Sequence, residues 1–199
     1  GTRFPPGGVS VAYQWVAGTG ASDLTLGLPP TFSTQAFDVN DAGKIVGNFV
    51  NPVGVPFPFL YTSTGITYLG FPGYAFGINN VDRITGTSNL GIPTESHAYL
   101  WDPLTAWSGR RDLGTLGGAS RAYGVDDAET TFGYSLSGPG GSAVPWVWDS
   151  GEMVGINGFM PAGPSPWVIA TIYGQNNGGK LAGYGTQGGQ VKACLITTR

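Results

Sequence analysis

Charge is scarce in this chain. Of 199 residues nine are Lys or Arg and twelve are Asp or Glu, so charged side chains make up 11% and the net charge is −3. Ordinary globular proteins carry roughly 25%, and the shortfall points to a secreted, matrix or surface setting. Basic residues do not cluster beyond Arg110-Arg111. A nucleic-acid ligand needs a concentrated positive field to displace its counterions, so nucleic acid is not an expected partner. Cysteine is represented by Cys194 alone, which excludes an intramolecular disulfide framework. Set in KACLI among alternating apolar residues, it reads as a buried structural thiol. No run approaches the ~20 apolar residues of a membrane-spanning helix, and no stretch keeps a helical period.

Glycine, proline and aromatics are plentiful. The 35 Gly and 15 Pro make about a quarter of the chain, a fraction that borders on low complexity, but 10 Phe, 9 Tyr and 6 Trp supply a core that disordered segments lack. The two classes are interleaved by a repeat. It reads AFDVNDAGKIVGN at 36–48, AFGINNVDRITGT at 75–87, AYGVDDAETTFGY at 122–134 and IYGQNNGGKLAGY at 172–184. A period of about 45 residues built from short strands is the mark of a propeller or a related radial β array.

Each unit reads as four short strands. The first ends in an Asx pair (Asn40-Asp41, Asn79-Asn80, Asp126-Asp127, Asn176-Asn177), residues that tolerate positive φ and bond their own backbone in hairpin turns. The second ends on Gly47, Gly86, Gly133 or Gly183, suited to a bend or to a close approach between blades. The third is PFLY, AYLW, PWVW or ACLI, and the fourth LTLG, TYLG, RDLG or EMVG. The fold expected is therefore all-β: a β-propeller of four-stranded repeats, with four blades the first choice and five the second. Units of about 23–61, 62–101, 102–148 and 149–199 would form one repeat domain over 23–199. The third-strand motif occurs a fifth time as AYQW at 12–15. Residues 1–22 are thus expected to be an extended arm, GTRFPPGG as spacer, carrying a surplus strand at 9–16. That strand can join an edge of its own domain, complete an irregular fifth blade, or pair with a neighbouring molecule.

The segment SHAYLWD (96–102) followed by RDLGTLGGASRAYGVDD (111–127) closely resembles the HAF-type extracellular repeat. The likeness is recognisable across 36–61 and 67–87 and weakens over 143–199, where PWVW and KACLI stand in place of the His-Ala pattern. The resemblance implies secretion and a repetitive β fold. It implies no catalytic activity and no defined ligand.

Candidate chemistry is thin. His97 is the lone histidine, and its slot in the other units holds Phe57, Val144 and Lys192. A single His builds neither a zinc site nor, without a GxSxG elbow, a hydrolase triad. Asp126, Asp127 and Glu129 gather carboxylates, but without the spacing of a calcium loop they read as a hairpin turn. No enzyme activity, metal or cofactor is expected. Trp15, Trp101 and Trp148 end third strands and read as packing. Trp107 and Trp167 lie in non-repeated loops, where function is grafted onto repeat scaffolds. The expectation is a secreted, non-enzymatic structural or adhesive protein. It would self-assemble head to tail into extracellular filaments by donating Val9, Val11, Tyr13 and Trp15. The alternative is a lectin-like propeller that stacks glycans on Trp107 and Trp167.

Overall fold

The computed structural model describes residues 1–6, 8–24, 27–89, 95–105 and 109–198. They form five antiparallel sheets, with two short 3-10 turns at Pro103–Thr105 and Ile156–Phe159. The first sheet holds β1 (Thr2–Arg3), β2 (Val11–Val16) and β3 (Gly20–Asp23). The second holds β4 (Ser33–Val39), β5 (Ile45–Val50), β6 (Pro56–Thr62) and β7 (Gly65–Tyr68). The third holds β8 (Gly73–Ile78), β9 (Ile84–Ser88), β10 (His97–Trp101) and β11 (Arg110–Gly114). The fourth holds β12 (Ser120–Val125), β13 (Thr131–Leu136), β14 (Ala143–Asp149) and β15 (Glu152–Gly155). The fifth holds β16 (Trp167–Gln175), β17 (Lys180–Gln187) and β18 (Gln190–Thr197). Every sheet is a meander of sequential strands. Each four-stranded sheet starts at the AFDV-type strand and closes with the short strand after the third, so a sheet and an expected unit share three strands and differ in which fourth they take. The expected strand at 24–27 includes Thr25 and Leu26, which lie outside the described residues.

Packing runs from each sheet to the next, with β2 on β4, β5 and β6 on β8, β9 and β10 on β12, and β14 on β16. The period-two alternation of the third strands explains this stacking. In β10, Tyr99 and Trp101 face back and join Val46, Leu60 and Leu69 of the second sheet in one apolar cluster. Ala98 and Leu100 of the same strand face forward and pack with Ala122, Trp146 and Trp148 of the fourth sheet. The indole N–H groups of Trp101 and Trp146 are buried without a partner, which marks both rings as packing surfaces. Two further clusters join the first sheet to the second, around Ala12 and Phe59, and the fourth to the fifth, around Phe132 and Leu181.

Polar bonds reinforce two junctions in one geometry. The Ala12 N–H donates to Thr34 Oγ1 and the Thr34 N–H to the Ser10 carbonyl, each at 2.8 Å. Ala98, Ser120 and Ser96 repeat this pair, again at 2.8 Å. At the other two junctions the third strand carries Pro58 or Pro145, which has no N–H to offer. The first-strand residue at the position of Thr34 and Ser120 is there Gly73 or Ala170, which has no hydroxyl. Donor and acceptor are thus present together or absent together.

Candidate functional site

The four first strands, β4, β8, β12 and β16, line one open depression of about 860 Å³. Their geometry follows from a shared irregularity. In each, the pairing with the second strand skips one residue: Phe37 between Ala36 and Asp38, Phe76 between Ala75 and Gly77, Tyr123 between Ala122 and Gly124, and Tyr173 between Ile172 and Gly174. A bulged residue is unpaired and its side chain is re-aimed. At this shared position all four bulged residues are aromatic and all four line the depression, while β16 alone skips a second residue, Ala170.

The bulge also accounts for the glycines of the second strand. A Cβ at Gly47, Gly86, Gly133 or Gly183 would lie 1.9, 1.8, 1.8 or 2.1 Å from the carbonyl oxygen of Gln35, Tyr74, Arg121 or Thr171. These oxygens belong to the first strand of the same sheet. The close approach is therefore made between strands within a sheet rather than between blades as expected, because the bulge pushes the first-strand backbone onto its neighbour.

The rings form a partial collar. Phe37 and Phe76 meet edge to face at 5.3 Å between centroids, and Phe76 and Tyr123 lie 5.5 Å apart. Tyr74 stacks on Phe76 at 5.6 Å, and Tyr173 stacks on Tyr184 at 5.9 Å. Tyr173 is 75% exposed, with Phe37 and Tyr123 also open to solvent. Asp38 occupies the slot that is Gly77, Gly124 and Gly174 in the other strands. Its carboxylate accepts from the Ile78 and Val39 N–H groups, both at 2.9 Å, and burial pushes its pKa above the usual carboxylate value.

The rim is the set of Asx turns. In each, the first side-chain oxygen accepts two backbone N–H groups two and four residues on: Ala42 and Lys44 for Asn40, Val81 and Arg83 for Asn79, Ala128 and Thr130 for Asp126, Gly178 and Lys180 for Asn176. The fourth position of every turn has positive φ, as Gly43, Asp82, Glu129 and Gly179. The hairpin reading of these pairs is thus what the backbone adopts.

The turns are also bonded to one another. Asn40 Nδ2 donates to the Asn79 carbonyl at 3.0 Å and Asn79 Nδ2 to the Asp126 carbonyl at 2.8 Å. The N–H groups of Asp41, Asn80 and Asp127 donate to Asn80 Oδ1, Asp127 Oδ1 and Asn177 Oδ1 at 2.8–3.0 Å. These bonds span 39, 47 and 50 residues, the repeat spacings themselves. The carboxylates of the acidic turn are engaged: Asp126 accepts within its own turn, Asp127 accepts in this ladder, and Glu129 pairs with Arg83 and Arg111. Among the described residues no group of three or more His, Cys, Asp or Glu side chains is placed to hold a metal ion.

The remaining candidates lie elsewhere. His97 hydrogen-bonds Asp112 on the adjoining strand at 3.0 Å and does not line the depression. Cys194 packs against the cluster around Phe132 and Leu181, where burial pushes its thiol pKa up. Trp167 opens β16 and packs half-buried on that same cluster. Trp107 lies outside the described residues. Val9 precedes β2, while Val11, Tyr13 and Trp15 lie in it. As folded, β2 has both edges paired within the chain, to β1 at Val11 and Ala12 and to β3 from Tyr13 to Val16. The strand expected at 9–16 thus lies in a sheet of its own chain, with Ala12 fully buried against the second sheet. Sequence reasoning missed the collar. Phe37, Phe76, Tyr123 and Tyr173 look like strand aromatics, and only their identical place in four repeats distinguishes them. No helix among the described residues is long and apolar enough to cross a membrane. The chain matches no family model, and it matches none of the curated proteins at a significant level.

Proposed function

We propose that the chain is an open, propeller-like array of five sheets that serves as a non-enzymatic adhesive module at the cell exterior, with a glycan chain as its ligand in the depression lined by the first strands. The observation that carries this reading is the collar: one aromatic from each of four repeats, re-aimed by the same bulge into the same concavity. A pyranose presents a C–H face to an aromatic ring and hydroxyls to its surroundings. Rings at the wall and carboxamides and carboxylates at the rim match both parts. The volume falls within the usual range for small-ligand sites, roughly 300–1,000 Å³. The five-sheet count takes β1–β3 as an incomplete blade, since the forward-facing Ala12 of β2 is buried against the next sheet as Ala98 of β10 is. The external setting rests on the scarcity of charge and on the resemblance of residues 96–127 to HAF repeats.

Affinity electrophoresis through gels cast with single neutral polysaccharides tests this. At least one polysaccharide is expected to retard the protein. Tyr173→Ala and Phe37→Ala should each weaken that binding roughly tenfold, about 1.4 kcal/mol, with the far-ultraviolet spectrum unchanged. Retardation by none of the polysaccharides overturns the reading. Loss of binding on Trp167→Ala but not on Tyr173→Ala moves the site to the 156–171 loop and rules out the collar.

A further inference from the structure

The two ends of the sheet array present the two halves of a junction that the interior makes repeatedly. In β10 the forward-facing Leu100 is 2% exposed beneath the fourth sheet, and in β6 the forward-facing Leu60 is 8% exposed beneath the third. The equivalent residue of β18 is Leu195, in ACLI where β10 has AYLW, and it is 66% exposed. Val168 and Val191, at the far end of the fifth sheet, are exposed as well. Among the described residues no sheet packs on this forward face.

The first sheet shows the converse. Tyr99 and Trp101 of β10 face back onto the preceding sheet, and Trp101 is 5% exposed. Their equivalents in β2 are Tyr13 and Trp15, and Trp15 is 66% exposed. Together with Thr2, Arg3, Ala21 and Asp23 these two rings line a shallow hollow of about 600 Å³. Among the described residues no sheet packs on this backward face. Among the described residues the first and fifth sheets do not pack on one another as neighbouring sheets do.

We propose that the forward face of the fifth sheet, centred on Leu195, docks on the backward face of the first sheet, centred on Trp15, of a second copy of this chain. The partner's chemistry is fixed by the interior junctions, which bring a forward-facing aliphatic under a backward-facing aromatic pair. The contact is continuous with them: it extends the same face-to-face stacking by one step. It joins faces, so it leaves the paired edges of β2 intact and requires no strand to be released. It is also heterologous, joining two different patches, and such a contact propagates into open chains or rings rather than stopping at a two-fold dimer. Glycan binding plays no part in this inference, which stands or falls separately.

Sedimentation velocity of the full chain over a hundredfold concentration range, with the variants Trp15→Glu and Leu195→Glu, tests it. The unaltered chain should show mass that rises with concentration. Each variant alone should remain monomeric. A Trp15→Glu copy keeps its Leu195 face and a Leu195→Glu copy keeps its Trp15 face, so an equimolar mixture should form a dimer and go no further. That regained dimer also shows that neither variant has failed to fold. A chain that stays monomeric at every concentration overturns the proposal, as does a variant that assembles like the parent, or a mixture that remains monomeric.

Discussion

The three four-stranded sheets in the middle of the molecule and the two three-stranded sheets at its ends are made from the same strand motifs, yet the same residues lie in different surroundings. Leu100 and Leu195 occupy one slot, as do Trp101 and Trp15, and in each pair one side chain is buried and the other bare. The motif decides which face a side chain takes, through the two-residue period of the strand. The neighbouring sheet decides whether that face is covered. A repeat array therefore has stability that depends on nearest neighbours, with its weakest members at the ends.

The comparison is broken most forcefully by truncating its central residue in both settings. Leu100→Ala opens a cavity between the third and fourth sheets and should cost about 2–5 kcal/mol, the usual span for a buried leucine. Leu195→Ala in dilute solution should change stability by no more than about 0.5 kcal/mol, as for an exposed position. Urea unfolding followed by tryptophan fluorescence measures both. Equal losses would show that the fifth sheet is covered in solution, and the distinction between middle and end would fall.

The next largest effect concerns the rim. Asn79 supplies the acceptor for two N–H groups of its own turn and a donor to the Asp126 carbonyl, and it is buried. Asn176 makes the same two turn bonds, but among the described residues no bond runs on from its Nδ2, and it is exposed. Removing a partner from a buried polar group costs about 1–3 kcal/mol for each group left unsatisfied. Asn79→Ala should therefore lower stability by about 2–3 kcal/mol and Asn176→Ala by about 1 kcal/mol or less, since water replaces the lost acceptor. Thermal unfolding of the pair sharpens the comparison. An Asn176→Ala loss as large as that at Asn79 would mean that the ladder continues beyond the fourth turn.

These contrasts also show what a linear reading can and cannot carry. The turn pairs and the strands beside them are legible because their determinants are local: side-chain bonds two and four residues on, and a period of two along each strand. The ladder between turns is not, since its partners lie 39 to 50 residues apart and carry no mark of their own. Gly86 announces a close approach, but the strand it approaches is set by a bulge, and one unpaired residue leaves no trace in composition. The collar stayed hidden for the same reason: the bulge, rather than the aromatic residue itself, turns Phe76 or Tyr123 toward the depression. The likeness of AYQW to AYLW was informative. It marked β2 as a third strand, and the structure gives it the forward packing of β10, with Ala12 buried as Ala98 is, within a sheet of its own chain.

The smallest expected effect lies beside the collar rings, at a position where the first repeat alone carries a charge. Asp38 stands where the other strands have Gly77, Gly124 and Gly174, and burial raises its pKa even though two backbone N–H groups favour its ionised form. The ionised carboxylate is thus less stable in the folded chain than in the unfolded one, whose value is about 3.9. Below that value both states are protonated and the group's favourable contribution is complete. As pH rises from there through the raised folded value, the native state holds its proton longer than the unfolded state, and stability falls with pH. Asp38→Asn cannot titrate. The exchange of an acceptor for a donor offsets its stability from the parent by an amount that is constant with pH. Urea midpoints for the two proteins should therefore diverge across a window that opens near the ordinary carboxyl value and extends above it, the parent losing ground to the variant. Parallel curves would mean that Asp38 is as well solvated in the folded chain as in the unfolded one, and that the first repeat brings no buried charge to the depression.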